Sequence, residues 1–571
     1  MDSSGKVNYT LRKYPLVRWV LSILVIFSII FGIILFNVKS KPVPVIDSIN
    51  PPVGSPGDVV VILGSNFGEI RDMSYVEIAG SKLTNSSYIS WEDDCIKLVL
   101  PANVQDGLVY VGTKDRRSQP VLFANEVDIP VPVPTVRQVT RPVITGLSAT
   151  KLKVGDVLEI QGSNFGDSKN QSKVYFSIDY NEKLDSSTAS QGGNQFNGHM
   201  IPASEDDFDY ISWSNTEIKV HVPDGACTGP ILIDNGKEQS EPKNLTIDKS
   251  AGWKTFGNKK IYLLQYSADI ADIVADSNDT TITLRCPVPY KTVAQPEIEI
   301  TEVTPEPVLY DYEKNLIHQI TRNGAVGEKL VFNQNFVFPV YEVDVKIDPD
   351  KIGNYKNTEK NLLASTVRPD ELIPSNNENI INLAKKIVGK QQNPYRQAKL
   401  IYNYMCDNFK VVSEIRKSDD DPLDLLKYEK GDAYDFAIVY TALLRACGIP
   451  AITNAGILVC QDLSTRCHWW VEFYVDRVGW VPVDPALGAG MKYPRWADRP
   501  VEEDQAYYFS HMDSHHIVFS RGWKKLKPFS ADNKIVQKPR SFALQSIWEE
   551  ASANVSKYSS YWAVPVVKGI Y

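Results

Sequence analysis

The stretch Gly431-Asp432-Ala433-Tyr434-Asp435-Phe436-Ala437 opens a run, 432–447, that reads as one helix with a first turn suited to a nucleophile. Asp432 is placed to cap the orphan N–H groups of that turn. Asp435 stands inside it, where the helix dipole favours a negative charge. Ala433, Phe436, Ala437, Tyr440, Leu443, Leu444 and Cys447 share one stripe, so position 433 faces the packed side. Gly448 can end the helix, and Pro450 cannot continue it. A cysteine at 433 would be held as a thiolate by the helix N-terminus and by a nearby histidine. Two residues downstream could serve it: His468 starts the strand HWWVEFYV, and Asp484 follows the strand GWVPV. A thiolate, an imidazole and a carboxylate that orients the ring are the parts of nucleophilic acyl chemistry. Position 433, however, is alanine.

No neighbour is expected to replace the thiol. Cys467 adjoins His468, but successive strand residues point to opposite faces, so Cys467 should face away with Trp469 and Val471. Cys447 lies a further fourteen residues along the helix, about 21 Å at 1.5 Å per residue. Tyr434 sits about 100° around the helix from 433 and is a poor nucleophile when neutral. Losing the nucleophile from such a triad costs on the order of 10⁶ in rate.

These residues need a scaffold, and the sequence supplies one. NIINLAKKIVG and YRQAKLIYNYMCDNF carry apolar residues at helical spacing before the helix of Ala433. AITNAGILV, HWWVEFYV and GWVPV follow as three short strands, an α+β arrangement. Upstream, residues 251–348 read as a β-sandwich, with KKIYLLQY, TTITLRCPVP and VYEVDVKI as strands.

The N-terminal half contains a repeat. Pro44-Val45-Ile46 recurs as Pro142-Val143-Ile144, and Gly64-Ser65-Asn66-Phe67-Gly68 as Gly162-Ser163-Asn164-Phe165-Gly166, both 98 residues on. Tyr88-Ile89-Ser90-Trp91 recurs as Tyr210-Ile211-Ser212-Trp213, so the second copy carries 24 extra residues, expected as an exposed loop near 181–208. Short strands punctuated by Gly-Asn turns make each copy an all-β sandwich. The Pro-rich stretch 129–139 between them reads as an extended linker.

The chain has 571 residues, 43% hydrophobic and 23% charged, with a net charge of −8. Its length predicts about three to five domains. The acidic balance and the lack of a basic patch argue against a nucleic-acid partner. Trp19 to Phe36 has no charged residue and is near the lower length limit for a membrane-spanning helix. Lys6, Arg12, Lys13 and Arg18 precede it, which predicts a cytoplasmic tail at 1–18, an anchor at 19–38 and an extracytoplasmic bulk. The seven cysteines, at 95, 227, 286, 406, 447, 460 and 467, show no metal spacing and no disulfide framework, although Cys460 and Cys467 are close enough to bridge across a hairpin. SDDDPLD (418–424) and HMDSHH (511–516) match no calcium or metal pattern and are expected to be loops. No metal or cofactor is expected.

Two resemblances follow from the quoted motifs. The repeats, at 40–127 and 141–248, resemble the IPT/TIG family of immunoglobulin-like domains, which implies extracellular spacers or binding modules. GDAYDFAIVYTALLRACGIPA, HWWVEFYVDRVGW and VPVDPA resemble the transglutaminase-like superfamily over about 375–525. That implies a papain-like fold and a Cys-His-Asp triad, with His468 and Asp484 in place and Ala433 where the cysteine would stand. The β region before such a core is similar to the sandwich that often precedes it in bacterial members. Residues 526–571 form a C-terminal extension expected to pack onto the fold.

The expected fold is therefore multidomain: two all-β Ig-like sandwiches, a third β-sandwich and an α+β papain-like core. Three functional readings stay open. One is a membrane-anchored pseudoenzyme that binds a peptide, a protein or a cell-wall component, or acts as a scaffold. The second is an active cysteine acyltransferase or protease whose nucleophile has been replaced by alanine. The third is a purely structural or adhesive surface protein.

Overall fold

The computed structural model describes residues 19–20, 23–28, 43–114, 116–125, 141–181, 199–275, 280–322, 329–355, 363–416, 421–496, 500–529, 532–538, 540–544 and 547–571. The chain divides into two compact units, Met1–Val136 and Arg137–Tyr571. Of the apolar run 19–36, only 19–20 and 23–28 are described, as exposed helix. Among the described residues no helix is long and apolar enough to cross a membrane. The linker 129–139 lies outside the described residues.

The first unit is a sandwich. Strands Val45–Asn50, Val59–Ser65, Cys95–Val99 and Tyr88–Trp91 make one sheet, and Val53–Gly54, Val121–Asn125, Gly107–Gly112, Tyr75–Ile78 and Ser81–Lys82 the other. Ile62, Phe67, Ile96, Val111 and Phe123 from both sheets share its core. The second copy, within the larger unit, repeats this strand order in both sheets. The repeated motifs explain why. Asn66 and Asn164 both adopt a φ of 62°, which asparagine tolerates. The next residue, Phe67 or Phe165, is thereby driven into the core. Trp91 Nε1 donates to Phe67 O at 3.2 Å, and Trp213 Nε1 to Phe165 O at 3.1 Å, so the distant YISW strand locks the turn. A Cβ on Gly64 or Gly162 would lie 1.9 Å from Val45 O or Val143 O, which only glycine avoids.

The insert expected as a loop near 181–208 is described only at its ends. Residues 182–198 lie outside the described ones, but Met200–Pro202 is a strand paired with Lys173–Ile178, and Ile201 is buried. Pairing at the sheet edge gives these backbone groups partners that a loop would leave to water.

The third sandwich is built on two long antiparallel strands, β1 (Gly252–Ala275) and β2 (Leu330–Ile347), in register from Gly252↔Ile347 to Ile270↔Leu330. The expectation that it closes within 251–348 is corrected. Val555–Trp562 and Val566–Ile570 pair with β1, and Trp548–Ala551 pairs with Thr280–Pro287. The C-terminal extension thus supplies strands to both sheets.

The α+β core holds α1 (Glu378–Val388), α2 (Pro394–Asn408), α3 (Asp424–Tyr428), α4 (Ala433–Ala446) and α5 (Pro485–Gly488). Helix α3 includes Asp424, so the acidic run 418–424 is not wholly loop; residues 417–420 lie outside the described ones. The expected strands appear as β3 (Ala451–Val459), β4 (Thr465–Val475) and β5 (Gly479–Val483), joined by β6 (His516–Arg521) in the order β5-β4-β3-β6. This fourth strand was expected to be loop at its start. Helix α4 is buried on every face, not on one stripe, because α1 and α2 cover one side and β3 and β4 the other.

Candidate active site

The start of α4 is built by local chemistry. Asp432 Oδ1 accepts from the backbone N–H of Asp435 at 3.1 Å, and Asp435 Oδ2 accepts from that of Asp432 at 3.0 Å, a reciprocal capping box. Tertiary contacts then surround the two carboxylates. Arg416 donates its backbone N–H to Asp432 at 2.9 Å and its guanidinium to Asp435 at 2.6 Å. Arg540, from the C-terminal extension, donates to both oxygens of Asp432 and to Asp435 at 3.0–3.1 Å. Burial and then the Asp432 charge push the Asp435 carboxyl up to about 6, while Arg540 and Arg416 draw it back. Arg540 also lies over the Tyr434 ring at 4.3 Å, and Tyr434 meets Trp469 edge-on at 5.4 Å between centroids. The N-terminal end of α4 is therefore pressed against the start of β4. Ala433 is 4% exposed there.

His468 and Asp484 form a close pair. His468 Nε2 donates to Asp484 Oδ2 at 2.5 Å, and both side chains are buried. Asp484 Oδ1 accepts from the N–H groups of Ala486 and Leu487 at 3.0 and 2.8 Å, so the carboxylate also caps α5. Burial alone would raise the Asp484 carboxyl; the His468 and His516 imidazoles outweigh it and hold the group far below the carboxylate range. The ring engages Asp484 through Nε2.

A third residue was missed. His516 Nε2 lies 3.1 Å from Asp484 Oδ2, and its Nδ1 lies 2.8 Å from Asp513 Oδ1. Burial opposes a charge on His516, but Asp513 and Asp484 override it and hold the ring up to about 9. The HMDSHH segment is thus corrected from a loop packed near the core to part of the site. The available signal was Asp513 three residues before His516, just ahead of an apolar run. His515 plays a different part: it stacks on Trp496 at 4.5 Å, and burial lowers it to about 4.

No described cysteine takes the place of a thiolate. Cys467 lies on the other face of β4 from His468, within the main core, and burial pushes its thiol up to about 12. Burial likewise raises Cys406 to about 12 and Cys447 to about 11. Cys460 and Cys467 are both free, so the bridge considered between them is not made. Cys467, Arg416, Arg540, Phe542 and Trp562 line a groove of about 560 Å³ that adjoins the α4 N-terminus.

Comparison with known proteins agrees with this architecture. The family model for the transglutaminase-like superfamily matches residues 381–485, and that for the IPT/TIG domain matches residues 44–124. An uncharacterised protein of Haemophilus influenzae is 27% identical over 162 residues, covering 24% of this chain and 44% of that protein. YebA of Bacillus subtilis, also uncharacterised, is 28% identical over 169 residues, covering 26% of this chain and 22% of that protein. The chain spans less than half the length of either relative. Among solved structures, the periplasmic domain of TgpA from Pseudomonas aeruginosa is similar at 13% identity and a TM-score of 0.23, covering 40% of this chain and 86% of that one. Residues 381–485 are a transglutaminase-like superfamily core, in a chain that also carries an IPT/TIG domain at residues 44–124.

Proposed function

We propose that this chain is a transglutaminase-like pseudoenzyme, a binding or scaffold protein held at a membrane by the apolar run at 19–38 with its bulk outside the cytoplasm. The carrying observation is Ala433, a side chain without chemistry at the head of a capped helix, in a core that still holds a buried His468–Asp484 pair. The raised thiols of Cys406, Cys447 and Cys467 support the same reading, since a nucleophile needs the thiolate. The groove beside Arg540 and Trp562 offers an apolar and cationic lining suited to a peptide, a protein segment or a cell-wall peptide. Nothing in the charge balance favours nucleic acid.

The test is Ala433→Cys treated with an electrophilic peptide probe. Labelling at 433 in the variant, with none in the parent, shows that a peptide reaches the position and that the parent lacks only the thiol. No labelling of a variant with unchanged circular dichroism overturns peptide binding at this position and leaves a structural role. The intact His468–Asp484 pair also favours a second reading, an active cysteine acyltransferase or protease altered at one position. A cysteine codon at 433 in the native gene establishes that reading and ends the first. For the anchor, carbonate extraction should leave the full chain in the membrane pellet and release a chain lacking residues 1–38.

A further inference from the structure

We propose that His468, Asp484 and His516 form a binding site for a divalent transition metal ion, zinc above all. The inference does not depend on the role assigned to position 433. One ring nitrogen from each histidine and one oxygen of Asp484 all lie within 4.8 Å of one another, and all three residues are buried. The two nitrogens approach the same oxygen, Oδ2, at 2.5 and 3.1 Å. Ligand atoms about 2.0–2.2 Å from a tetrahedral zinc stand roughly 3.3–3.5 Å apart. Both Oδ2 distances are shorter than that spacing, so an ion would enter by replacing the two hydrogen bonds to Oδ2 and spreading the ligand atoms.

The surroundings are those of a prepared ligand set. His516 is oriented by Asp513 through the opposite ring nitrogen, the carboxylate–histidine arrangement that fixes metal ligands. Asp513 is held in turn by the Tyr508 hydroxyl, which donates to its Oδ2 at 2.9 Å. Asp484 is pinned through Oδ1 by two backbone N–H groups, so Oδ2, which both histidines approach, is the oxygen an ion would take. A cavity of about 50 Å³, enough for a water, is lined by His516, Asp513, Trp470 and Asn454 but not by His468 or Asp484. Asn454 Oδ1 is buried in that lining and meets no hydrogen-bond partner among the described residues. Two imidazoles with one carboxylate suit zinc and its neighbours over magnesium or calcium, which prefer oxygen sets.

Binding exchanges protons for the ion. His516 releases its Nε2 proton to solvent and keeps Nδ1–H on Asp513. His468 moves its ring proton from Nε2 to Nδ1. Each Nε2 lone pair then forms a bond to the metal, with no change in oxidation state.

The test uses the full chain stripped with chelator, then titrated with Zn²⁺ by calorimetry and with Co²⁺ by visible absorption. The expected result is one ion per chain, tetrahedral cobalt bands and a higher melting temperature with zinc. His516→Gln should weaken binding more than 100-fold, and Asp513→Asn by about 10- to 100-fold. His515→Gln should bind as the parent does. Circular dichroism of each stripped variant confirms folding, and the milder Asp513→Asn serves if His516→Gln unfolds. Absence of stoichiometric binding, octahedral cobalt bands in the parent, or unchanged affinity in a folded His516→Gln or Asp513→Asn would each overturn the proposal.

Discussion

Arg540 grips the cap of the helix that heads the site: its Nη1 lies 3.1 Å from Asp432 Oδ1 and 3.0 Å from Asp432 Oδ2. The two residues are 108 positions apart, and the arginine side chain is 7% exposed. A residue of the C-terminal extension thus completes a structure that local sequence begins.

Removing that grip should be costly. Arg540→Ala leaves two buried carboxylates to Arg416 and strips the cation from the Tyr434 face. Breaking a buried charge pair by deleting one partner costs several kcal/mol, and the remaining arginine reduces this to about 2–3 kcal/mol. Arg540→Lys should recover part of the loss, because an ammonium keeps the charge but not the forked contact. Urea midpoints at neutral pH decide the matter; an Arg540→Ala midpoint equal to the parent's would mean the contact contributes nothing.

Asp435 gives stability a pH dependence with an unusual sign. Its folded-state carboxyl is pushed up to about 6, above the unfolded-state value, by burial first and then by Asp432. Between about pH 4 and pH 6 the folded chain therefore binds more protons than the unfolded chain, and stability falls as pH rises. Above that window the cost is complete. Asp435→Asn removes the titration, so the parent should lose about 2 kcal/mol relative to the variant on going from pH 4 to pH 7. Denaturant midpoints of both proteins across that range provide the check, and a constant difference would contradict the raised carboxyl.

Gly456 is where three strands meet the site. It pairs with His468 on one side and Val518 on the other. A Cβ there would lie 1.8 Å from Ile517 O, a backbone atom with no room to retreat. Gly456→Ala should destabilise the core by about 3 kcal/mol or more, as overpacking against backbone does. It should also shift the indole fluorescence of Trp469 and Trp470 in the adjoining strand. A melting temperature within a degree or two of the parent's, taken as about 1 kcal/mol or less, would rule out that clash.

The C-terminal strands are structural parts of the third sandwich. Deleting residues 548–571 removes the partners of β1 and of Thr280–Pro287 and leaves open sheet edges over apolar faces. Such edges recruit other chains. The truncated protein should be aggregated or insoluble where the full chain elutes as a discrete species in size-exclusion chromatography. A soluble truncation with native circular dichroism would show that the sandwich stands without its last strands.

The amino-acid sequence by itself determined what depends on near neighbours. The GSNFG turns follow from asparagine at positive φ and glycine against a carbonyl, each set within a few residues. The capped helix follows from Asp432 and Asp435, three apart, and the strands of His468 and Asp484 from their apolar runs. That position 433 carries no thiol is a covalent fact needing no fold. Only the tertiary structure decided which distant groups complete these pieces. It brought Arg416 and Arg540 onto the cap, His516 onto the oxygen of Asp484 that His468 already holds, and the last strands onto β1. It also buried α4 on all sides where periodicity showed one stripe. Periodicity, capping and turn chemistry act over one or two turns of chain. Pairings between residues 32 to 108 positions apart, such as Asp484 with His516 and Asp432 with Arg540, are fixed by how whole layers pack.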